Sequence, residues 1–178
     1  MAKFYIIGAP GSGKSFLAET MSQRWGIPWY DLNNDVWAKF DPRVRQQIRE
    51  QVITHPSWIF EAVFPEGFWF EAFQEADLII VLRTPLIIRL WRIVKRHIEK
   101  RQGKLFKGQN DPETLSELFH RLHSSWQYEH RTLPIALSYL QDIPGTVLML
   151  PNNGAEIMPR IFLCLYNMAP SVSRIRDQ

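Results

Sequence analysis

Gly8-Ala9-Pro10-Gly11-Ser12-Gly13-Lys14-Ser15 stands between the apolar run Phe4-Tyr5-Ile6-Ile7 and a stretch with helical spacing. A strand entering such a segment and a helix leaving it is the context that phosphate binding requires. The glycines let the backbone curl until successive N–H groups face one point, where they cradle a β-phosphate. Gly13 to Ser15 also open the helix, whose unpaired donors and dipole favour the same anion. Lys14 would bridge the β- and γ-phosphates, and the Ser15 hydroxyl would ligate Mg²⁺. The nucleotide-side set read from this stretch is Gly8, Gly11, Ser12, Gly13, Lys14, Ser15 and Phe16.

Around this loop the chain has one domain's length. It holds 178 residues, of which 46% are hydrophobic and 22% charged, so a folded core is expected and disorder is not. The expected layout is one domain over residues 1–170, with a basic helix and lid at about 85–131 and a tail at 171–178. A formal charge of +3 conceals an asymmetry. Residues 83–107 hold nine Lys or Arg against one Glu, which leaves 12 basic and 17 acidic side chains elsewhere. Such a patch suits a polyphosphate, a phosphorylated substrate or a nucleic acid strand. The single cysteine, Cys164, rules out an internal disulfide and reads as a buried thiol in a reducing compartment. The first residues lack the shape of a signal peptide, and no apolar run approaches a membrane span. A cytoplasmic protein without membrane contact, a monomer or weak homodimer, is expected.

Strands and helices alternate along the chain. Phe4–Gly8, Ile27–Tyr30, Trp58–Phe60 ending in Glu61, Leu78–Leu82 and Val147–Leu150 read as five strands. Helices are expected over Lys14–Trp25, behind Asp41-Pro42, briefly around Phe70 and Phe73, and after Thr84-Pro85 as a cap. The last of these shows an apolar stripe at Ile87, Trp91, Val94 and Ile98, with Arg89, Arg92 and Arg96 on an adjacent face. Gln102–Asn110 reads as a mobile basic loop. Asp111-Pro112 starts a helix with Leu115, Leu118, Phe119, Leu122 and Trp126 as its core face, broken near Pro134, and Ile157–Met168 closes the pattern. This alternation implies an α/β fold with a five-stranded parallel sheet covered on both faces. Ligands in such sheets bind beyond the C-terminal strand ends. That places the loop, Asp31–Asp35, Glu61, Arg83 and Pro151–Asn153 around one cleft.

Phosphoryl transfer needs charge neutralisation and alignment more than covalent help. Arg92, Arg96, Arg101 and Lys104 are candidates for clamping phosphates, because a guanidinium fork pairs with two oxygens at once. A solvated helix face is the competing reading. Asp31, Asn33 or Asp35 would hold water on Mg²⁺ or orient an acceptor hydroxyl, and Glu61 would reach Mg²⁺ through water. The catalytic set is therefore Lys14, Arg92, Arg96, Glu61 and Asp31, and the metal set Ser15 and Glu61. An adenine base would rest against Leu150-Pro151-Asn152-Asn153, where exposed backbone groups, with Asn152 in the nucleotide-side set, would read its edge while Arg131 or a neighbouring ring stacks on its face; a cap for the last helix is the competing reading. The five histidines show no metal spacing.

Taken together, these motifs resemble the nucleoside monophosphate kinase branch of the P-loop proteins over residues 3–153. The likeness is nearest to the small adenylate-kinase-related proteins often labelled DNA topology modulation proteins. It is carried by the phosphate loop, Gly26-Ile27-Pro28, Ala76-Asp77-Leu78-Ile79-Ile80, Arg83-Thr84-Pro85, Arg92, Arg96, Arg101, Gly103, Lys104 and the Arg131–Pro134 region. It implies a three-layer α/β/α P-loop NTP hydrolase fold with a helical lid, ATP and Mg²⁺ as cofactors, and a small phosphate acceptor. Three departures stand on the acceptor side. Leu32-Asn33 replaces Leu-Asp, Glu61-Ala62-Val63 replaces Asp-Gly-Asn, and the arginine before Ala76-Asp77 is absent. No Asn-Lys-x-Asp segment is present to read guanine. A kinase for a small acceptor, a nucleotide-dependent regulatory or nucleic-acid-associated ATPase acting through residues 83–107, and another P-loop hydrolase all remain open at this point.

Overall fold

A computed structural model of the chain describes residues 2–32, 41–63, 70–103, 114–141, 145–151, 154 and 156–168. Asn33, Asp35, Lys104, Asn152, Asn153 and the tail at 171–178 lie outside them. Five strands form one sheet in the order β2-β3-β1-β4-β5, all parallel. They are β1 (Lys3–Gly8), β2 (Trp29–Asp31), β3 (Trp58–Ala62), β4 (Leu78–Leu82) and β5 (Thr146–Leu150). The helices are α1 (Lys14–Trp25), α2 (Pro42–Ile53), α3 (Phe70–Gln74), α4 (Leu86–Arg101), α5 (Leu115–Gln127), α6 (Leu133–Leu140) and α7 (Ile157–Met168). One turn of π-helix, Tyr128–Thr132, joins α5 to α6.

β1 is central because it is apolar on both faces. Phe4 and Ile6 pack with Leu17, Ala18 and Met21 of α1. Tyr5 and Ile7 pack on the opposite side with Phe60, Phe73, Tyr128 and Leu133. Alternation along β3 follows the same rule: Ile59 joins the α1 side, and Trp58 and Phe60 the other. From β1 the chain runs out to the edge at β2, returns to β3 beside β1, and then crosses to β4 on the other side. The connections therefore part at the C-terminal end of β1, where ligands of such sheets bind.

Two details register the strands. The Lys3 amide donates to the Asp77 carboxylate at 2.8 Å, and the Asp77 amide donates back to the Lys3 carbonyl at 2.9 Å. Gly145 presses against the Ala76 carbonyl so closely that a Cβ would collide with it, while Thr146 donates to the Asp77 carbonyl at 3.1 Å. A peptide oxygen cannot swing aside as a side chain can. Gly145→Ala is expected to separate β5 from β4 and to cost about 1–3 kcal/mol, a typical figure for overpacking. Urea unfolding of the variant checks this, and an unchanged midpoint would count against it.

Two expected core faces are corrected by the structure. Ile87 and Trp91 of α4 are 74% and 61% exposed, and Val94 and Ile98 are exposed as well; Arg89, Ile93 and His97 are buried instead. Positions 87 and 89 lie about 200° apart on a helix, so the helix is turned nearly back to front. The cause is what it covers: the polar backbone of the phosphate loop, which a hydrocarbon face would leave without partners. In α5, Leu115, Phe119 and Trp126 are exposed, Leu118 and Leu122 are half-buried, and Ser125 is buried. Thr84 does not cap α4, since its hydroxyl donates to the Ser12 carbonyl at 3.0 Å. Cys164 is half-buried rather than buried. No described helix is long and apolar enough to cross a membrane.

Candidate functional site

The phosphate loop fills the gap between β1 and α1, and its glycines are there for two reasons. Gly11 and Gly13 adopt φ of 79° and 96°, a region that side chains disfavour. Gly8 and Gly11 also admit close neighbours: a Cβ on Gly8 would meet Ser12 Oγ at 2.8 Å, and one on Gly11 would meet the Arg89 carbonyl oxygen at 2.7 Å. The Ser12 amide donates to the Ala9 carbonyl at 3.1 Å and closes the turn. Lys14 lies buried across it, its Nζ donating to the Ala9 carbonyl at 3.2 Å. The first turn of α1 thus starts with the ammonium inside and with Ser15 and Phe16 exposed.

Strands β2 and β3 bring the carboxylates to the same place. Asp31 stands in register with Glu61, and the Leu32 amide donates to the Glu61 carbonyl at 2.9 Å. Glu61 lies inside β3 and is 1% exposed, so it does not merely end the strand as expected. Burial raises its carboxyl from the ordinary value of 4.5 to about 7, with the Asp31 charge adding to the effect. Lys14, the Ser15 hydroxyl and Arg96 act in the opposite direction. Neither Glu61 oxygen forms a well-aligned hydrogen bond to a protein group, although the Ser15 hydroxyl is near enough to favour the ionised form. Burial lowers the Lys14 pKa, the Glu61 and Asp31 charges oppose this, and the Arg89 charge reinforces it.

Helices α4 and α5 enclose the loop from outside. Arg92 Nη1 donates to the Ser12 carbonyl at 3.2 Å and, more weakly, to that of Gly11 at 3.5 Å. Ser125 of α5 donates to the Pro10 carbonyl at 3.1 Å. Arg96 is exposed one turn beyond Arg92, within electrostatic reach of Glu61. Arg83, Arg101 and Arg131 are exposed, Arg131 on the π turn. Lys14, Ser15, Glu61, Asp31, Arg92 and Arg96 are therefore gathered at one strand end, while the residues expected to read the base, Asn152 and Asn153, fall outside the described residues.

Four site neighbours escape a sequence reading: Thr84, Ser125, Tyr128 and Glu129. Thr84 and Ser125 look like ordinary cap and helix residues, and nothing local signals contacts across the fold. Glu129 Oε2 accepts from Arg89 Nη2 at 2.8 Å, and the Arg89 guanidinium stands 5.8 Å from the centre of the Tyr128 ring. An extra residue in the π turn is the available clue, and it is visible only in three dimensions.

The arrangement fits a magnesium polyphosphate. Ser12 Oγ, which stands against Gly8, and both Glu61 oxygens are buried polar atoms without well-formed bonds among the described residues. Among the described residues no three His, Cys, Asp or Glu side chains converge as a metal cage. That suits an ion held by one hydroxyl, one or two carboxylates and the phosphates themselves. No family model and no curated protein matches the chain. Among solved structures, shikimate kinase from Acinetobacter baumannii in complex with shikimate has a similar fold, with a TM-score of 0.59 at 13% identity over 96% of this chain and 96% of that one. The chain has the P-loop kinase fold, an α/β architecture around a five-stranded parallel sheet.

Proposed function

We propose that the protein binds Mg-ATP at Gly8–Ser15 and transfers the γ-phosphoryl group to a hydroxyl or phosphate oxygen of a small acceptor. The observation that carries this reading is the buried Lys14 within electrostatic reach of the buried Glu61, with the Ser15 hydroxyl near Glu61, at the mouth of a phosphate loop. Lys14 binds the β- and γ-phosphates, and Arg92 and Arg96 neutralise charge that grows as the phosphoryl group moves. Ser15 and Glu61 would hold an Mg²⁺, which would supply neutralisation of the phosphate oxygens. Asp31 orients the acceptor. The acceptor oxygen attacks the γ-phosphorus, the bond to the β–γ bridging oxygen breaks and ADP departs; where the acceptor is a hydroxyl, its proton passes to a carboxylate.

The test is isothermal titration with Mg-ATP and Mg-GTP, followed by a coupled assay over a panel of hydroxyl and phosphate acceptors, shikimate included. Tighter binding of ATP and turnover of one acceptor are expected, with AMP, CMP, GMP and UMP slow. The last expectation follows from Glu61-Ala62-Val63 and from Glu71 and Glu75 where the resemblance would place an acceptor arginine. Equal affinity for GTP would end the adenine assignment. For the arginines, Arg92→Ala and Arg96→Ala are expected to lower single-turnover rates by about 10–100-fold while weakening ATP binding less, as interactions made in the transition state do. Two silent variants would leave Arg92 as a brace on the loop carbonyls and return Arg96 to a solvated face.

A second reading keeps the nucleotide site and makes the protein a regulatory or nucleic-acid-associated ATPase. It is favoured by the outer side of α4, where exposed Lys95 and Arg101 accompany exposed Trp91 and Ile98. Binding of a single strand that weakens steeply with salt, without turnover of any acceptor, would select it.

A further inference from the structure

Arg89 is the buried cation for which the reading above has no use. It is 1% exposed, and its own carbonyl oxygen touches Gly11. It therefore sits against the phosphate loop on the face of the sheet opposite α1, the face shared by Tyr5 and Tyr128. Its guanidinium donates from Nη2 to Glu129 at 2.8 Å, and Glu129 is 40% exposed at its other end. Arg89 Nε–H and the Tyr128 hydroxyl are both buried and have no hydrogen-bond partner among the described residues.

Burying a guanidinium with a donor unused is costly, and most such groups find a partner in the protein, in water or in a ligand. Glu129 and Tyr128 reach Arg89 only because the chain makes a π turn there. One residue more or fewer would rotate them by about 100° around the helix axis. Turns of this kind recur at functional sites. Ser125, one turn earlier, ties the same stretch to the Pro10 carbonyl. The Arg89 charge also lowers the Lys14 pKa, so the two cations feel each other across the loop.

We propose that Arg89 is a further phosphate-binding cation of this site. Glu129 balances its charge, and its Nε–H, with the Tyr128 hydroxyl beside it, receives an oxygen of the terminal phosphoryl group. The inference rests on the nucleotide reading given above and extends it to a residue on another face of α4. It assigns to Arg89 the discrimination of a triphosphate from a diphosphate.

The experiment compares affinities for Mg-ATP, Mg-ADP and inorganic triphosphate by isothermal titration in the parent, Arg89→Met, Arg89→Lys and Glu129→Gln. The ATP:ADP affinity ratio is the readout, because a structural ion pair has no reason to move it. Arg89→Met is expected to lower the ratio about 10-fold and to weaken triphosphate binding by a similar factor. Arg89→Lys, which keeps the charge and loses the fork, should fall between, and it answers the question if the methionine variant does not fold. Glu129→Gln breaks the same ion pair but leaves the cation, so its ratio should stay at or above that of the parent. An unchanged ratio in both Arg89 variants, or a fall in Glu129→Gln as large as in Arg89→Met, overturns the proposal while Mg-ATP binding by the parent stands. No binding of Mg-ATP by the parent would overturn the nucleotide reading and this inference together.

Discussion

Lys14→Ala is expected to weaken Mg-ATP binding at least 100-fold, to the limit of detection by titration, while the protein stays folded. Lys14 is 8% exposed and its ammonium donates to the Ala9 carbonyl, so most of its hydrogen-bonding capacity faces the place where phosphates would lie. Charge-assisted bonds to phosphate in a shielded site are each worth more than neutral ones, and two lost together amount to about 3 kcal/mol, or two decades in affinity. Stability should change little, because removing a buried cation also removes its desolvation cost. Lys14→Ala also deprives Glu61 of a cation that favours its ionised form. Circular dichroism and thermal melting establish the fold, and titration the affinity. A folded variant that binds Mg-ATP as the parent does would remove the basis of the proposed function.

The second large effect belongs to Glu61→Gln and appears as a pH dependence. In the folded protein the carboxyl ionises at about 7, against 4.5 ordinarily. Its protonated form is thus favoured by folding, and the unfolded chain gives up the proton first. The contribution is fully present below about pH 4.5 and is lost as the pH rises through about 7. In the absence of Mg²⁺ and nucleotide, the parent should lose roughly 2–3 kcal/mol of stability from this group between pH 5 and 8, since each pH unit separating the two ionisations is worth about 1.4 kcal/mol. Glutamine cannot ionise. Glu61→Gln should therefore gain on the parent as the pH rises, and urea unfolding at pH 5, 6, 7 and 8 reads the difference directly. A gap that stays constant, or widens toward low pH, would contradict the buried carboxyl. With Mg-ATP present the ranking is expected to reverse at pH 8, where the parent keeps a carboxylate for the metal and the variant does not.

The overall architecture is legible in the sequence because its signals are local. Leu78–Leu82 is apolar at every position, and a strand covered on both faces has no other composition to offer. The phosphate loop is equally explicit, since positive φ at Gly11 and Gly13 and the crowding at Gly8 admit few other residues. Helix α1 ends where Gly26 permits it, its amide donating to the Ser22 carbonyl at 2.8 Å. Asp41 accepts from the Arg43 amide at 2.8 Å and starts α2 as a cap should. Such features are settled by the steric and hydrogen-bonding needs of a few consecutive residues, so they can be read in one dimension.

Facing is another matter. The periodicity of α4 marks a stripe at Ile87, Trp91, Val94 and Ile98, but a stripe does not say which side it is on. That depends on the surface the helix meets, and here the surface is a loop whose carbonyls accept hydrogen bonds from Arg92 and whose Gly11 lies against the Arg89 carbonyl. The same reason hides the Arg89–Glu129 pair, whose partners are 40 residues apart and meet through a turn of π-helix. Glu61 gives a third case. Its position near a strand end is plain from the sequence, yet its raised pKa arises from burial and from Asp31 on a neighbouring strand. Composition and spacing carry the elements and the phosphate loop, because those depend on neighbours in the chain. Burial, charge pairing and the inward face of each helix depend on neighbours in space, and they exist only once the sheet has brought β2, β3 and α4 around the end of β1.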